Sequence, residues 1–234
     1  KTLMSDTINQ LLEKAKGKQI KFLRTGWPWF DYQNQLNFQR LILMASSEKS
    51  GKTKFVLEVI RRILSLHPQL NIGVFWNCID NTENDMNEIF TSNYAKLNYS
   101  QLNSIGYKHT PDDTECIKRA DEYFKQFNWT FDQTLMKVPE LERKFKRFCR
   151  DHEYNILVVD TIGNLPGDEK RKETQTELDD KIVKKFVTLR NTTKAQIWLL
   201  HHLKKDVMSI ERKKYYYRPL LEHIRGSGRY RDYI

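Results

Sequence analysis

The sequence predicts an α/β fold with a mainly parallel central sheet flanked by helices, and three observations support this prediction. Apolar runs of strand length alternate with segments of helical periodicity, as in proteins built on parallel sheets. The clearest runs are residues 41–44, 71–77, 154–160 and 195–200. Charged or polar residues follow these runs, and in such sheets ligands bind beyond the carboxyl ends of the strands.

Composition limits the class of protein. The 234 residues suffice for one sizeable domain, and 40 Lys and Arg against 30 Asp and Glu give a net charge of +10, which suits a polyanionic partner. Cys78, Cys116 and Cys149 are scattered, which argues against a disulfide framework or a zinc site and favours a reducing compartment. No apolar run reaches membrane-spanning length, so no membrane partner is expected.

Residues 5–17 open the chain as a predicted short helix. Ser5 or Asp6 can cap its start, and Gly17 can close it. We therefore separate a helical segment, residues 1–20, from a main domain, residues 21–234. Docking of this helix on a neighbouring molecule and packing on its own domain are both open.

The pattern of apolar and polar residues over 41–66 predicts a buried strand, a small polar loop and an amphipathic helix that ends at His67 and Pro68. The loop ends in Gly-Lys-Thr, the tail of the phosphate-binding P-loop pattern G-x-x-x-x-G-K-[ST], although Ser46 replaces its first glycine. Backbone N–H groups of such a loop converge on an anion, Lys52 is expected to reach the β- and γ-phosphates, and the Thr53 hydroxyl to ligate Mg²⁺. The predicted nucleotide-binding residues are Ser47, Glu48, Lys49, Ser50, Gly51, Lys52 and Thr53. A plain strand–turn–helix is the alternative.

The middle of the chain predicts further alternation. Residues 25–31 form an aromatic-rich turn, Thr82 can cap a helix, residues 98–126 are mostly helical, residues 127–131 form a short strand, and Pro139 suits the first turn of a helix. The run YNILVVD at residues 154–160 is the strongest predicted strand. A hydrophobic run ending in Asp beside a P-loop is the Walker B pattern, so Asp160 is expected to hold Mg²⁺ directly or through water. The alternative is a strand-end Asp that caps a turn.

The predicted strand at residues 195–200 runs into His201 and His202. Adjacent strand residues point to opposite faces, so the two cannot readily share a metal ion. We instead predict that His202 contacts the γ-phosphate as a polar sensor. Beyond it, residues 204–232 carry nine Lys and Arg against four Asp and Glu, a net of +5 that is half of the excess charge.

Together these motifs resemble the RecA-like ATPase domain of DnaB-type replicative helicases, over about residues 23–232. TGWPWFD resembles that family's T-G-[FI]-P-x-L-D turn, and ASSEKSGKT its A-x-x-x-x-x-G-K-T loop. ILVVDTIGNL is similar to the Walker B strand and the loop after it, and LLHHLKK to L-S-Q-L-N-R. RPLLEHIRGSGRYRD is similar to R-P-x-L-x-D-L-R-x-S-G-x-x-x-x-D.

The resemblance implies a RecA-like P-loop NTPase fold that uses ATP and Mg²⁺, with residues 1–20 as a linker-like segment. It places Asp80 at the family's catalytic glutamate and His202 at its sensor glutamine, so the implied catalytic set is Lys52, Asp80, Asp160 and His202. Asp80 is one methylene shorter than Glu. By this resemblance, we expect the given sequence to lack the family's primase-binding N-terminal domain and to stop where the family's last strands and arginine finger would follow.

Two functions are open. The first is a helicase motor that hydrolyses Mg-ATP and translocates on single-stranded DNA as a hexameric ring, with primase or a loader protein as a further partner, in the cytoplasm of a bacterium or in a phage or mobile-element context. Its expected DNA contacts are Lys170, Arg171, Lys172, Lys204, Lys205, Arg212, Lys213 and Lys214. The alternative is a non-unwinding RecA-like ATP switch or loader that binds DNA or a replication partner. A solvated basic surface is the simpler interpretation of the charge.

Overall fold

A computed structural model describes residues 22–34, 36–102, 104, 108–166 and 175–202. The strands are β1 (Leu41–Ser46), β2 (Ile72–Cys78), β3 (Asn128–Asp132), β4 (Tyr154–Asp160) and β5 (Gln196–His202). The α-helices are α1 (Pro28–Asn34), α2 (Lys52–Leu66), α3 (Glu83–Ala95), α4 (Tyr99–Leu102), α5 (Pro111–Phe124), α6 (Val138–Phe148) and α7 (Gln175–Thr193), and a 3₁₀ helix covers Ile162–Asn164. The predicted helix at residues 5–17 lies outside the described residues.

The five described strands form one sheet in the order β1-β5-β4-β2-β3, and every neighbouring pair is parallel. The predicted α/β fold with a parallel sheet is confirmed. Strands that follow one another in the chain are joined by crossovers that carry helices, which is the connection that parallel strands require.

The two faces of the sheet bury separate apolar clusters, because successive side chains of a strand point to opposite faces. On β2, Val74 and Trp76 face the cluster that holds α2 and α3, whereas Phe75 faces the cluster that holds α6 and α7. Strands covered on both faces read as continuous apolar runs, which is why the sequence identified them readily.

Helix boundaries follow local signals that the sequence carries. Thr82 caps α3 in a capping box with Asp85, as predicted. The described residues between 98 and 126 are mostly helical, as predicted, and they form two helices: α4, and α5, which begins at Pro111 behind a second capping box made by Thr110 and Asp113. The aromatic turn at residues 25–31 contains the start of α1, and its Asp31 carboxylate accepts hydrogen bonds from the N–H groups of Thr25 and Gly26.

Among the described residues, no helix combines the length and the apolar character that crossing a bilayer requires.

Candidate functional site

The suspected site lies where four strands end along one edge of the sheet. Ser46 of β1 stands opposite His202 of β5, and Asp160 of β4 stands opposite Cys78 of β2. The chain after β1 turns into α2, and the turn after β2 carries Asp80. Parallel register therefore gathers residues that are up to 150 positions apart in the chain.

The loop between β1 and α2 depends on a glycine for its backbone conformation. Gly51 has φ +91°, in the left-handed region that disfavours side chains, and a Cβ placed there would meet no atom within 4 Å. The requirement is therefore conformational rather than steric. The Gly51 carbonyl accepts a hydrogen bond of 2.9 Å from the Phe55 N–H, so the glycine turns directly into α2.

Lys52 is buried at the start of α2. Its ammonium group donates a hydrogen bond of 3.1 Å to the Ser47 carbonyl and lies 3.1 Å from Nδ1 of His202. Burial lowers the pKa of Lys52, and the negative charges of Asp160, Glu48 and Asp80 only partly offset this effect. A buried ammonium that its own surroundings do not fully stabilise is suited to an anionic ligand.

Asp160 is buried at the end of β4, 3% exposed, and its Oδ2 accepts a hydrogen bond of 2.6 Å from the Thr53 hydroxyl. Burial raises the pKa of Asp160, although the Thr53 hydrogen bond and the Lys52 charge both act to lower it. A carboxylate that remains costly to ionise after pairing is suited to a cation. The hydroxyl and the carboxylate are the oxygen donors that Mg²⁺ prefers.

The exposed Asp80 is held by residues that follow β4. The side-chain amide of Asn164 donates to both of its carboxylate oxygens, at 2.8 Å and 3.0 Å. The Thr161 hydroxyl lies 3.4 Å from Oδ2 of Asp80 and 3.4 Å from Oδ1 of Asp160. Thr161 and Asn164 were not identified from the sequence as site residues. Their position directly after the predicted Walker B strand was the available signal.

These residues fit a nucleotide with Mg²⁺. The buried Lys52 and the glycine turn suit phosphate oxygens, and Thr53 beside Asp160 suits the cation. No group of three His, Cys, Asp or Glu that could hold a metal occurs among the described residues. Mg²⁺ is commonly held by one or two carboxylates, with phosphates and water completing its shell.

The structure brings together Lys52, Thr53, Asp80, Asp160 and His202, and it places residues 47–51 in the loop beside them. The predicted DNA-binding residues lie outside the described part of the chain: Lys170, Arg171, Lys172, Lys204, Lys205, Arg212, Lys213 and Lys214.

Comparison with known proteins gives consistent results. The family model for the DnaB-like helicase C-terminal domain matches residues 23–231. The chain is 22% identical over 222 residues to the replicative DNA helicase DnaB of Geobacillus stearothermophilus, covering 94% of this chain and 46% of that protein. It therefore spans about half the length of this curated relative.

Solved structures agree on the fold. A solved ATPase domain matches 98% of this chain and 80% of its own, with a TM-score of 0.84 at 15% identity. The structure of a DnaB-like replicative helicase, described with its interactions with primase, matches 95% of this chain and 53% of its own, with a TM-score of 0.81 at 16% identity. These neighbours carry RecA-like domains, as predicted.

Proposed function

Because this chain belongs to the family of DnaB-like helicase C-terminal domains, we propose that it hydrolyses Mg-ATP to translocate on single-stranded DNA as a hexameric ring. The observation that carries this proposal is the convergence of a buried ammonium, Lys52, and a buried carboxylate, Asp160, at the carboxyl edge of the sheet. Burial lowers the pKa of Lys52 and raises the pKa of Asp160, which favours the neutral form of each group. Lys52 is therefore suited to the negative phosphate, and Asp160 to the positive metal ion.

Each residue then has a defined task. Lys52 leaves the Ser47 carbonyl and donates to the β- and γ-phosphates, while the backbone around Gly51 cradles them. Thr53 and Asp160 would hold Mg²⁺, which would supply positive charge against the phosphate oxygens. Asp80 orients the attacking water and accepts its proton, and His202 contacts the γ-phosphate.

The partners follow from the basic composition and from family membership. Single-stranded DNA binds Lys170, Arg171, Lys172 and the Lys and Arg residues after β5. Binding of DNA is coupled to the nucleotide site through His202. Primase or a loader protein is the further partner, since a DnaB-like relative is described with primase. The three cysteines, all free, suit a reducing cytoplasm.

The test compares ATP hydrolysis by the wild type with that of Lys52→Ala. We expect turnover to fall to background and ATP affinity to fall with it, because the buried ammonium is the phosphate contact. Lys54→Ala is the matched control: Lys54 is exposed on the same helix, and its loss should leave both quantities unchanged. Wild-type hydrolysis in Lys52→Ala would remove the nucleotide site.

A second measurement separates the motor from an ATP switch or loader. A motor unwinds a forked duplex in the presence of Mg-ATP and forms a larger oligomer, whereas a switch binds and hydrolyses ATP without unwinding. Strand separation with wild-type protein and its loss with Lys52→Ala support the motor. Hydrolysis without unwinding by an assembled ring would favour the switch.

A further inference from the structure

We propose that Asn164 is a positioning residue that aims the Asp80 carboxylate at the attacking water. This inference rests on the proposed function, because it assigns Asn164 a role through Asp80 and no contact of its own with the nucleotide. It concerns a pair of residues that are 84 positions apart in the chain and meet only in the folded sheet.

The geometry fixes the direction of the carboxylate. The Asn164 amide nitrogen donates to Oδ1 at 2.8 Å and to Oδ2 at 3.0 Å, so both oxygens of Asp80 are held by one group. A single bond would leave the carboxylate free to rotate about its last torsion, whereas two bonds from one nitrogen restrain that rotation. Oδ2 also accepts from the Thr161 hydroxyl at 3.4 Å, so Oδ1 is the oxygen that keeps a further lone pair with which it can accept from water.

Asn164 is the better anchored partner. It ends the 3₁₀ helix, and the N–H groups of Asn164 and Leu165 donate to Thr161 and Ile162 at 3.1 Å each. Ile162 and Leu165 are buried on either side of it, 1% and 4% exposed. Asp80 instead lies in an exposed turn after β2. The buried segment after β4 therefore holds the exposed carboxylate, rather than the reverse.

The contact is not a requirement of packing. Asp80 and Asn164 are both exposed, so water could satisfy either group if the other were absent. A neutral amide also orients the carboxylate without adding a positive charge, which would oppose its action as a base. The pair is thus better suited to orienting the Asp80 carboxylate than to stabilising the fold. Orientation is also what a short Asp needs when it must act on a water molecule at a fixed position.

The first test replaces Asn164 by Ala and, at equal size, by Asp. We expect kcat to fall about 10–100-fold in Asn164→Ala, since small misplacements of a catalytic group cost about that much. Asn164→Asp should fall at least as far, because it sets a second negative charge against Asp80. ATP affinity by direct titration and the thermal midpoint without nucleotide should match the wild type. Gly163→Ala, in the same 3₁₀ helix, is the control and should keep full turnover.

The decisive measurement is a double-variant cycle with Asp80→Asn. If Asn164 acts only through Asp80, then Asn164→Ala should lower kcat in the wild type and have no further effect in Asp80→Asn. Equal losses in both backgrounds would overturn the proposal, as would wild-type kcat in Asn164→Ala or a loss of ATP affinity that accounts for the whole effect.

Different experimental results would overturn this inference and the proposed function. Turnover that survives Lys52→Ala or Asp80→Asn would remove the nucleotide site or its base. Turnover that depends on Lys52 and Asp80 but ignores Asn164 would remove the positioning role alone.

Discussion

The ammonium nitrogen of Lys52 lies 3.1 Å from Nδ1 of His202, although the two residues are 150 positions apart in the chain. A lysine ammonium can only donate, so Nδ1 is the acceptor and the neutral imidazole carries its proton on Nε2. The loop after β1 and the last described strand are thus linked by a side-chain contact as well as by the pairing of β1 with β5. In the proposed mechanism, Lys52 would exchange this acceptor for phosphate oxygens, which would couple His202 to the nucleotide.

We expect His202→Gln to retain ATP hydrolysis and its stimulation by single-stranded DNA, because the amide oxygen of Gln can accept from Lys52. His202→Leu has no acceptor and should lose the stimulation, with turnover in the presence of DNA reduced about 10-fold or more, the loss of one hydrogen bond to a charged group. Steady-state hydrolysis at saturating ATP, with and without DNA, measures both. A Leu variant that DNA still stimulates fully would show that His202 is no sensor.

Asp80→Asn should lower turnover by about 10²–10⁴-fold, the usual contribution of a general base, while ATP binding stays near that of the wild type. The amide keeps the size of the carboxylate and loses its proton affinity and charge. Single-turnover hydrolysis with a separate binding titration distinguishes the two effects. Unchanged turnover would mean that another carboxylate, such as Glu83, activates water, or that none does.

Asp160→Asn should raise the thermal midpoint of the nucleotide-free protein and abolish its further rise on adding Mg-ATP. Burial raises the pKa of Asp160 above its ordinary 3.8, so ionisation costs folding free energy at neutral pH. That cost is complete above the folded-state pKa and disappears as the pH falls below 3.8, so the advantage of the amide should shrink with acidification. We therefore expect the gain in thermal midpoint to be largest at neutral pH and to vanish in acid.

Asp132→Asn is the matched control with the opposite sign. Burial acts to raise the pKa of Asp132, but hydrogen bonds from Lys144 and Thr134 outweigh it and hold this pKa below its ordinary value. Its ionised form therefore stabilises the fold at neutral pH, and its loss should lower the thermal midpoint. A lower thermal midpoint for Asp160→Asn as well would contradict the interpretation that the ionised Asp160 destabilises the nucleotide-free fold and is suited to a cation.

The basic segment after β5 should govern DNA affinity. Replacing Lys204, Lys205, Lys213 and Lys214 together by Ala should weaken binding of single-stranded DNA and flatten its salt dependence, because each phosphate contact releases counterions. Titrations at several salt concentrations measure both quantities, and hydrolysis without DNA should persist. An unchanged slope would mean that these lysines do not face DNA and would favour the switch or loader.

The strands were predictable from the sequence because both faces of the sheet are buried, which makes each strand a continuous apolar run. The convergence of Lys52 and Asp160 was predictable for the same reason, since Asp160 ends one such run and Lys52 follows another after a five-residue loop. The start of α5 was not identified, although Thr110-Pro111 with Asp113 three positions after the cap is a recognisable helix start.

The hydrogen bonds from Asn164 to Asp80 could not be predicted from the sequence. Both are exposed polar residues in turns, and nothing in either turn marks the other as its partner. Only the parallel pairing of β2 with β4, which sets Cys78 opposite Asp160, brings the two turns side by side. Side-chain contacts between turns depend on such tertiary register, whereas the motifs depend on local patterns.

The pairing of β1 with β5 has a consequence for synthesis of the protein on the ribosome. Within the described sheet, β1 has β5 as its one neighbour, and Ser46 pairs with His202. The phosphate-binding loop emerges early but cannot be fixed against its sheet until β5 has left the exit tunnel. At ~5–20 residues per second this interval is about 8–30 s. During it the apolar strand before the loop has no partner strand, so nascent chains should depend on chaperones and should bind nucleotide only once synthesis has passed β5.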